Sequence, residues 1–79
     1  MDDASLRRAY DAVQRGEHHQ AIAILQDLCV RDAQPQHWLT LARLQRHLNK
    51  IDDAKASLAN AYALKPDDVD IAREYAQVY

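Results

Sequence analysis

At 79 residues, 48% hydrophobic and 28% charged, the chain is long enough for one folded domain and too short for two, and its composition excludes wholesale disorder. A formal charge of −2 with a pI near 6.0 gives no basic footprint for a phosphate backbone, which takes nucleic acid off the expected partners. One Gly, two Pro and no Phe favour helix over strand, and the single cysteine, Cys29, excludes an intrachain disulfide framework.

The start Met1-Asp2-Asp3-Ala4 is acidic and leads into no apolar run, and no later stretch is long enough to span a bilayer. The expectation is a soluble, cytoplasmic chain that makes no use of a membrane. A core of this size supplies only about 3–5 kcal/mol, so a partner or self-association is expected to add to it.

Apolar residues then recur at helical spacing, separated by breakers. Leu6, Ala9 and Val13 predict helix 1, ended by Gly16, whose freedom to take positive φ suits a helix C-terminus. Ala21, Leu25, Leu28 and Cys29 predict helix 2. Pro35 fits the first turn of helix 3, where its missing N–H costs nothing, and Trp38, Leu41, Leu44 and Leu48 form the buried stripe. Asn49, tolerant of the left-handed region, ends it. Asp52 is the expected N-cap of helix 4, carried by Ala54, Leu58, Ala61 and Tyr62 and stopped before Pro66. Asp67 or Asp68 caps helix 5, with Ile71, Tyr75 and Val78 on one face. The expected core includes Trp38, Leu41, Leu25, Leu58 and Ala54.

The chain also repeats itself. Ala9, Gly16, Ala21, Leu25 and Ala33 match Ala42, Asn49, Ala54, Leu58 and Pro66 at a constant shift of 33 residues. Trp38, Leu41 and Ala42 match Ala72, Tyr75 and Ala76 at a shift of 34, so a third copy begins before the sequence given ends. Small residues at Ala9 and Ala21, and at Ala42 and Ala54, suit close approach of paired helices.

These residues resemble the tetratricopeptide repeat, whose pattern runs W-x2-L-G-x2-Y, then A-x3-F, then P, over about 34 residues. The second unit supplies Trp38, Leu41, Ala42, Ala54, Leu58, Ala61 and Pro66, and departs with Gln45 and Leu58 where aromatics are expected. The first keeps Ala9, Gly16, Ala21 and Leu25 but has Ser5 and Arg8 at the Trp and Leu positions. The third keeps Tyr75, Ala76 and Tyr79. The resemblance implies one all-α domain over 1–79: a short right-handed α-solenoid of antiparallel helix pairs, with about five helices. Its first repeat covers about 3–34, its second about 35–67 and a partial, capping repeat about 68–79.

The resemblance further implies a concave groove lined by the first helix of each pair. Mapped onto it, helix 1 offers Asp3, Arg7, Tyr10 and Gln14, helix 3 offers Gln36, Thr40, Arg43 and His47, and helix 5 adds Arg73 and Gln77 with Asp70 and Glu74 nearby. Arg7, Arg43 and Arg73 suit a carboxylate or acidic peptide, because a guanidinium pairs with a carboxylate bidentately. The alternative is a solvated polar face. Relatives that clamp a peptide's C-terminal carboxylate use Lys and Asn where this chain has Leu6 and Tyr10, and basic residues where it has Asp70 and Glu74. That clamp is not carried over.

Little in the sequence points to catalysis. His18 and His19 are adjacent and lack the i, i+4 spacing of a metal pair, and His18 stands where Ile51 stands in the next unit, so a partly buried turn residue is expected. Cys29 lies on the apolar side of helix 2, where a buried structural thiol is expected in place of a nucleophile. No Ser-His-Asp set, phosphate loop or acid pair stands out, so the chain is expected to be no enzyme and to need no metal or cofactor. The expected function is protein–protein interaction, holding a partner peptide or helix in the groove. The alternatives are an assembly element that homo-oligomerises through an edge at Tyr75, Val78 and Tyr79, and a small chaperone for a helical partner.

Overall fold

A computed structural model describes residues 3–79. Met1, Asp2 and the side chain of Asp3, named above, lie outside the described residues. The chain is all-helical: α1 (Asp3–Gln14), α2 (His18–Arg31), α3 (Pro35–His47), α4 (Ile51–Leu64) and α5 (Val69–Val78), with no strand among the described residues.

The turns between helices follow from local chemistry, and the sequence repeat reappears in them. Gly16 (φ 79°) and Asn49 (φ 64°) both take the left-handed conformation. Around Gly16, its N–H donates to the Val13 carbonyl and Glu17 N–H to the Ala12 carbonyl. Around Asn49, its N–H donates to Arg46 and Lys50 N–H to Gln45. Each is a Schellman turn satisfying the last carbonyls of the preceding helix. The next residues match too, Glu17 at φ −88°, ψ 65° and Lys50 at φ −91°, ψ 68°.

Two sequence-level boundaries are sharpened. The N-cap of α4 is Lys50 and not Asp52: the Asn49 turn feeds directly into Ile51, which leaves Asp52 and Asp53 inside the first turn, where their charges favour the helix N-terminus. Of the two candidates for α5, Asp68 is the cap, and its Oδ1 accepts from Asp70 N–H at 2.8 Å and Ile71 N–H at 3.2 Å. Pro35 opens α3 as expected.

Consecutive helices pack together, and α3 also meets α5. Ala9, Ala21, Ala42 and Ala54 are each at most 1% exposed, so the small residues lie where α1 meets α2 and α3 meets α4. One core cluster joins Ala9, Ala12, Ala21, Leu25, Cys29, Leu41 and Leu44; a second joins Leu39, Ala42, Leu58, Ala61 and Ile71.

The core differs from expectation at four places, one being Leu48 of the α3 stripe, which is only half-buried just past the end of that helix. Trp38 is only half-buried. It packs against both clusters, but α2 and α4 do not approach closely over it, which leaves it facing a depression of about 300 Å³ that Val30 and Asn60 also line. Tyr62, read as a buried mark of α4, is 48% exposed, because Leu58 and Ala61 already fill that helix's inner face. Gln45 stands where the repeat pattern has an aromatic, and it is buried; its Oε1 accepts a 2.7 Å hydrogen bond from Ser57 Oγ.

Candidate functional site

The α1/α3 and α3/α5 junctions are unequal. At the α3/α5 junction the backbones come close; α1 and α3 make no such approach among the described residues. Residue identity accounts for the difference. A shift of 33 aligns Tyr10 and Val13 of α1 with Arg43 and Arg46 of α3, and a shift of 34 aligns Thr40 of α3 with Glu74 of α5. At α3/α5 the Glu74 carboxylate, 6% exposed, accepts from Arg43 Nε at 3.3 Å and also from Arg46 Nε. At α1/α3 the equivalent residues are Tyr10, Val13 and Thr40, which make no ionic bridge.

The gap left at α1/α3 is a groove of about 380 Å³, within the range of ligand clefts. Its floor is apolar: Ala9 and Val13 from α1, Leu25 from α2 and Leu44 from α3. Its rim is polar: Tyr10, Thr40, Arg43, Arg46 and His47, with no carboxylate among the lining residues. Tyr10 is 50% exposed, and Thr40 Oγ1 donates to the Gln36 carbonyl at 2.9 Å, so that hydroxyl has only acceptor capacity left for a ligand.

Of the residues assigned to the groove from sequence, Tyr10, Thr40, Arg43 and His47 line it together. Arg7, Gln14 and Gln36 are exposed but do not line it; Arg73 and Gln77 are exposed on α5. Arg43 is not an unengaged cation, because Glu74 holds its Nε. Arg46 is the rim residue that sequence reading missed, although its i+3 spacing from Arg43 puts both on one helical face. Arg31 lies outside the groove, bonded to Asp27 at 2.6 Å and Ser5 at 3.2 Å.

The edge assigned to self-association is also revised. Tyr75 and Val78 are half-buried against the second core cluster, because α5 turns their face inward onto α3 and α4. Tyr79 is 72% exposed and stacks on Tyr75 at 5.2 Å, and Tyr62 meets Tyr75 edge-on at 5.7 Å. Burial, then the neighbouring Tyr79 and Tyr62, push the Tyr75 phenol above its ordinary pKa.

Cys29 is buried, and burial pushes its thiol up to about 11, the direction opposite to that of a reactive thiolate. His18, half-buried at the start of α2, has an Nδ1 with no hydrogen-bond partner among the described residues. No group of three His, Cys, Asp or Glu among the described residues is placed to hold a metal ion, and no described helix is long and apolar enough to cross a membrane. No known protein family, curated protein or solved structure matches the chain.

Proposed function

We propose that the chain is a non-catalytic protein-interaction module, a short tetratricopeptide-like solenoid of antiparallel helix pairs that holds a segment of a partner protein in the α1/α3 groove, in the cytoplasm. The observation that carries this reading is the groove itself, whose apolar floor of Ala9, Val13, Leu25 and Leu44 lies under a polar rim. The matching turns at Gly16 and Asn49 support the repeat architecture, because the same local geometry recurs at the sequence shift of the repeat.

Capture of partners with the chain as bait, beside a Thr40→Trp bait whose indole fills the groove, tests the reading. Partners held by the first bait and lost by the second are expected; the same set on both baits defeats it. A circular-dichroism melt of the Thr40→Trp chain checks that its fold survives. A second reading, self-association at the C-terminal edge, is favoured by one observation: Tyr62 and Tyr79, which both meet Tyr75, are exposed on the α4/α5 pair.

A further inference from the structure

We infer that the α1/α3 groove selects an acidic peptide segment in which a large apolar side chain lies within about three residues of a carboxylate. The inference rests on the groove reading above and adds the chemical class of the occupant.

The argument begins with charge. Arg43 and Arg46 bring two positive charges to the rim, and Glu74 returns one negative, so the cluster keeps a net positive charge beside an apolar floor. Glu74 engages each guanidinium through Nε. The terminal NH2 groups of both arginines make no hydrogen bond among the described residues, and the two side chains stay 50% and 37% exposed. A guanidinium fixed at Nε still presents an Nη pair, the fork that receives a carboxylate through two parallel hydrogen bonds. His47 adds a further donor at the same rim, and none of the lining residues is acidic to repel the newcomer.

Preorganisation strengthens the site. Glu74 is only 6% exposed and is held on α5, so it restrains both arginines before a ligand arrives and lowers the ordering entropy that binding would otherwise cost. The apolar floor and both arginines line one groove of about 380 Å³, so a peptide advancing about 3.3 Å per residue reaches both within a few residues. A peptide is favoured over other polyanions because the apolar floor rewards a large side chain beside the acid, which neither a phosphate backbone nor a bilayer surface presents, and because a net charge of −2 opposes a polyanion of many charges more than a segment with one carboxylate.

A random twelve-residue peptide library displayed on phage, selected on the immobilised chain, tests this. Enrichment of peptides with Leu, Ile, Met, Phe or Trp within three residues of Asp or Glu is expected. Synthetic copies should bind at least tenfold more weakly when the acid becomes its amide, and at least tenfold more weakly to the Arg43→Gln, Arg46→Gln, Glu74→Gln chain. That triple change removes all three charges and leaves no buried carboxylate unpaired, which protects the fold. Enriched peptides that lack acids and still lose binding to Thr40→Trp overturn the acidic class and leave the groove standing. Peptides that bind Thr40→Trp as tightly as the unaltered chain overturn the groove, and absence of any enrichment overturns both. Displacement of the selected peptides by phosphatidylserine vesicles or by oligouridylate at equal charge would overturn a peptide as the preferred occupant.

Discussion

Glu74 of α5 accepts from the Nε of both Arg43 and Arg46 of α3 while its own side chain is 6% exposed, so one nearly buried carboxylate ties the last helix to the middle of the chain. The two sides of this bridge are not equivalent. Removing both arginines strands a desolvated carboxylate, a change of the kind that costs about 3–5 kcal/mol. Glu74→Gln leaves two half-exposed guanidiniums that water solvates, and about 1–3 kcal/mol is expected. Urea melts should therefore rank Arg43→Ala with Arg46→Ala as more damaging than Glu74→Gln. The reverse order would show that the bridge contributes through the arginines' packing and not through satisfaction of Glu74.

A second buried polar pair makes a sharper test. Ser57 Oγ donates to Gln45 Oε1 at 2.7 Å, and both residues are at most 4% exposed. Ser57→Ala leaves the amide without this donor and should cost about 1–3 kcal/mol. Gln45→Leu on that background removes the stranded group and supplies apolar bulk where the repeat pattern has an aromatic, so it should restore much of the loss. Additive destabilisation in the double variant would mean that the pair is not coupled.

Glu74 and Gln45 also mark the limit of what the sequence shows locally. Gly16, Asn49, Pro35 and Asp68 act on their own backbone or on residues a few positions away, and their roles could be read directly. Glu74 and Gln45 meet partners 28 to 31 and 12 positions distant, so nothing local distinguishes them from solvated polar residues. Trp38 fails in the opposite sense: its apolar character predicts burial, but its exposure depends on how far apart α2 and α4 lie. Helical spacing put Thr40, Arg43 and His47 on one face of α3, and the repeat resemblance put Tyr10 of α1 beside them. That Arg43 is already engaged depends on the docking of α5, which spacing does not contain.

The close helix approach at Ala54 is testable by overpacking. Ala54 is fully buried in α4, which packs on α3, and it corresponds to Ala21 in the first unit. Ala54→Leu forces a branched side chain into that contact and should lower stability by about 1–3 kcal/mol. A circular-dichroism melt that does not move would contradict the packing.

Cys29 predicts a pH dependence. Its thiol rises from an ordinary value of 9.0 to about 11 on burial, so the folded chain holds its proton to higher pH than the unfolded chain. The stability from keeping the thiol neutral is fully present below pH 9.0 and is lost as pH rises toward about 11, with a limiting slope of about 1.4 kcal/mol per pH unit. Tyr75, also raised, contributes in the same direction. Unfolding free energy measured from pH 8 to 11 should fall less steeply in Cys29→Ala than in the unaltered chain. Equal slopes would remove the thiol as a source. At pH 7 a disulfide reagent should modify Cys29 rapidly in urea and slowly without it.

The C-terminal edge gives the last prediction. Tyr62, Tyr75 and Tyr79 form an aromatic row, edge-on at 5.7 Å and then stacked at 5.2 Å, and the Lys55 ammonium lies 4.8 Å from the Tyr79 ring centre. Leu64 and Val69 are exposed where α4 turns into α5, and Ala72 and Ala76 of α5 are exposed as well, whereas Arg8, Asp11, Arg15 and Glu17 gather charge between α1 and α2. Two such aromatic rows brought together would bury rings that already prefer stacked and edge-on neighbours. Concentration-dependent mass in light scattering is expected. Val78→Lys is a poor probe, because Val78 packs against the second core cluster and a charge there would damage the fold. Tyr62→Lys with Tyr79→Lys alters exposed positions only and should hold the chain as a monomer. Lys55→Ala, by uncovering the Tyr79 face, should shift it the other way, toward association. A monomer in all three chains at every concentration would remove the edge as an interface, and association that survives the double lysine variant would place the interface elsewhere.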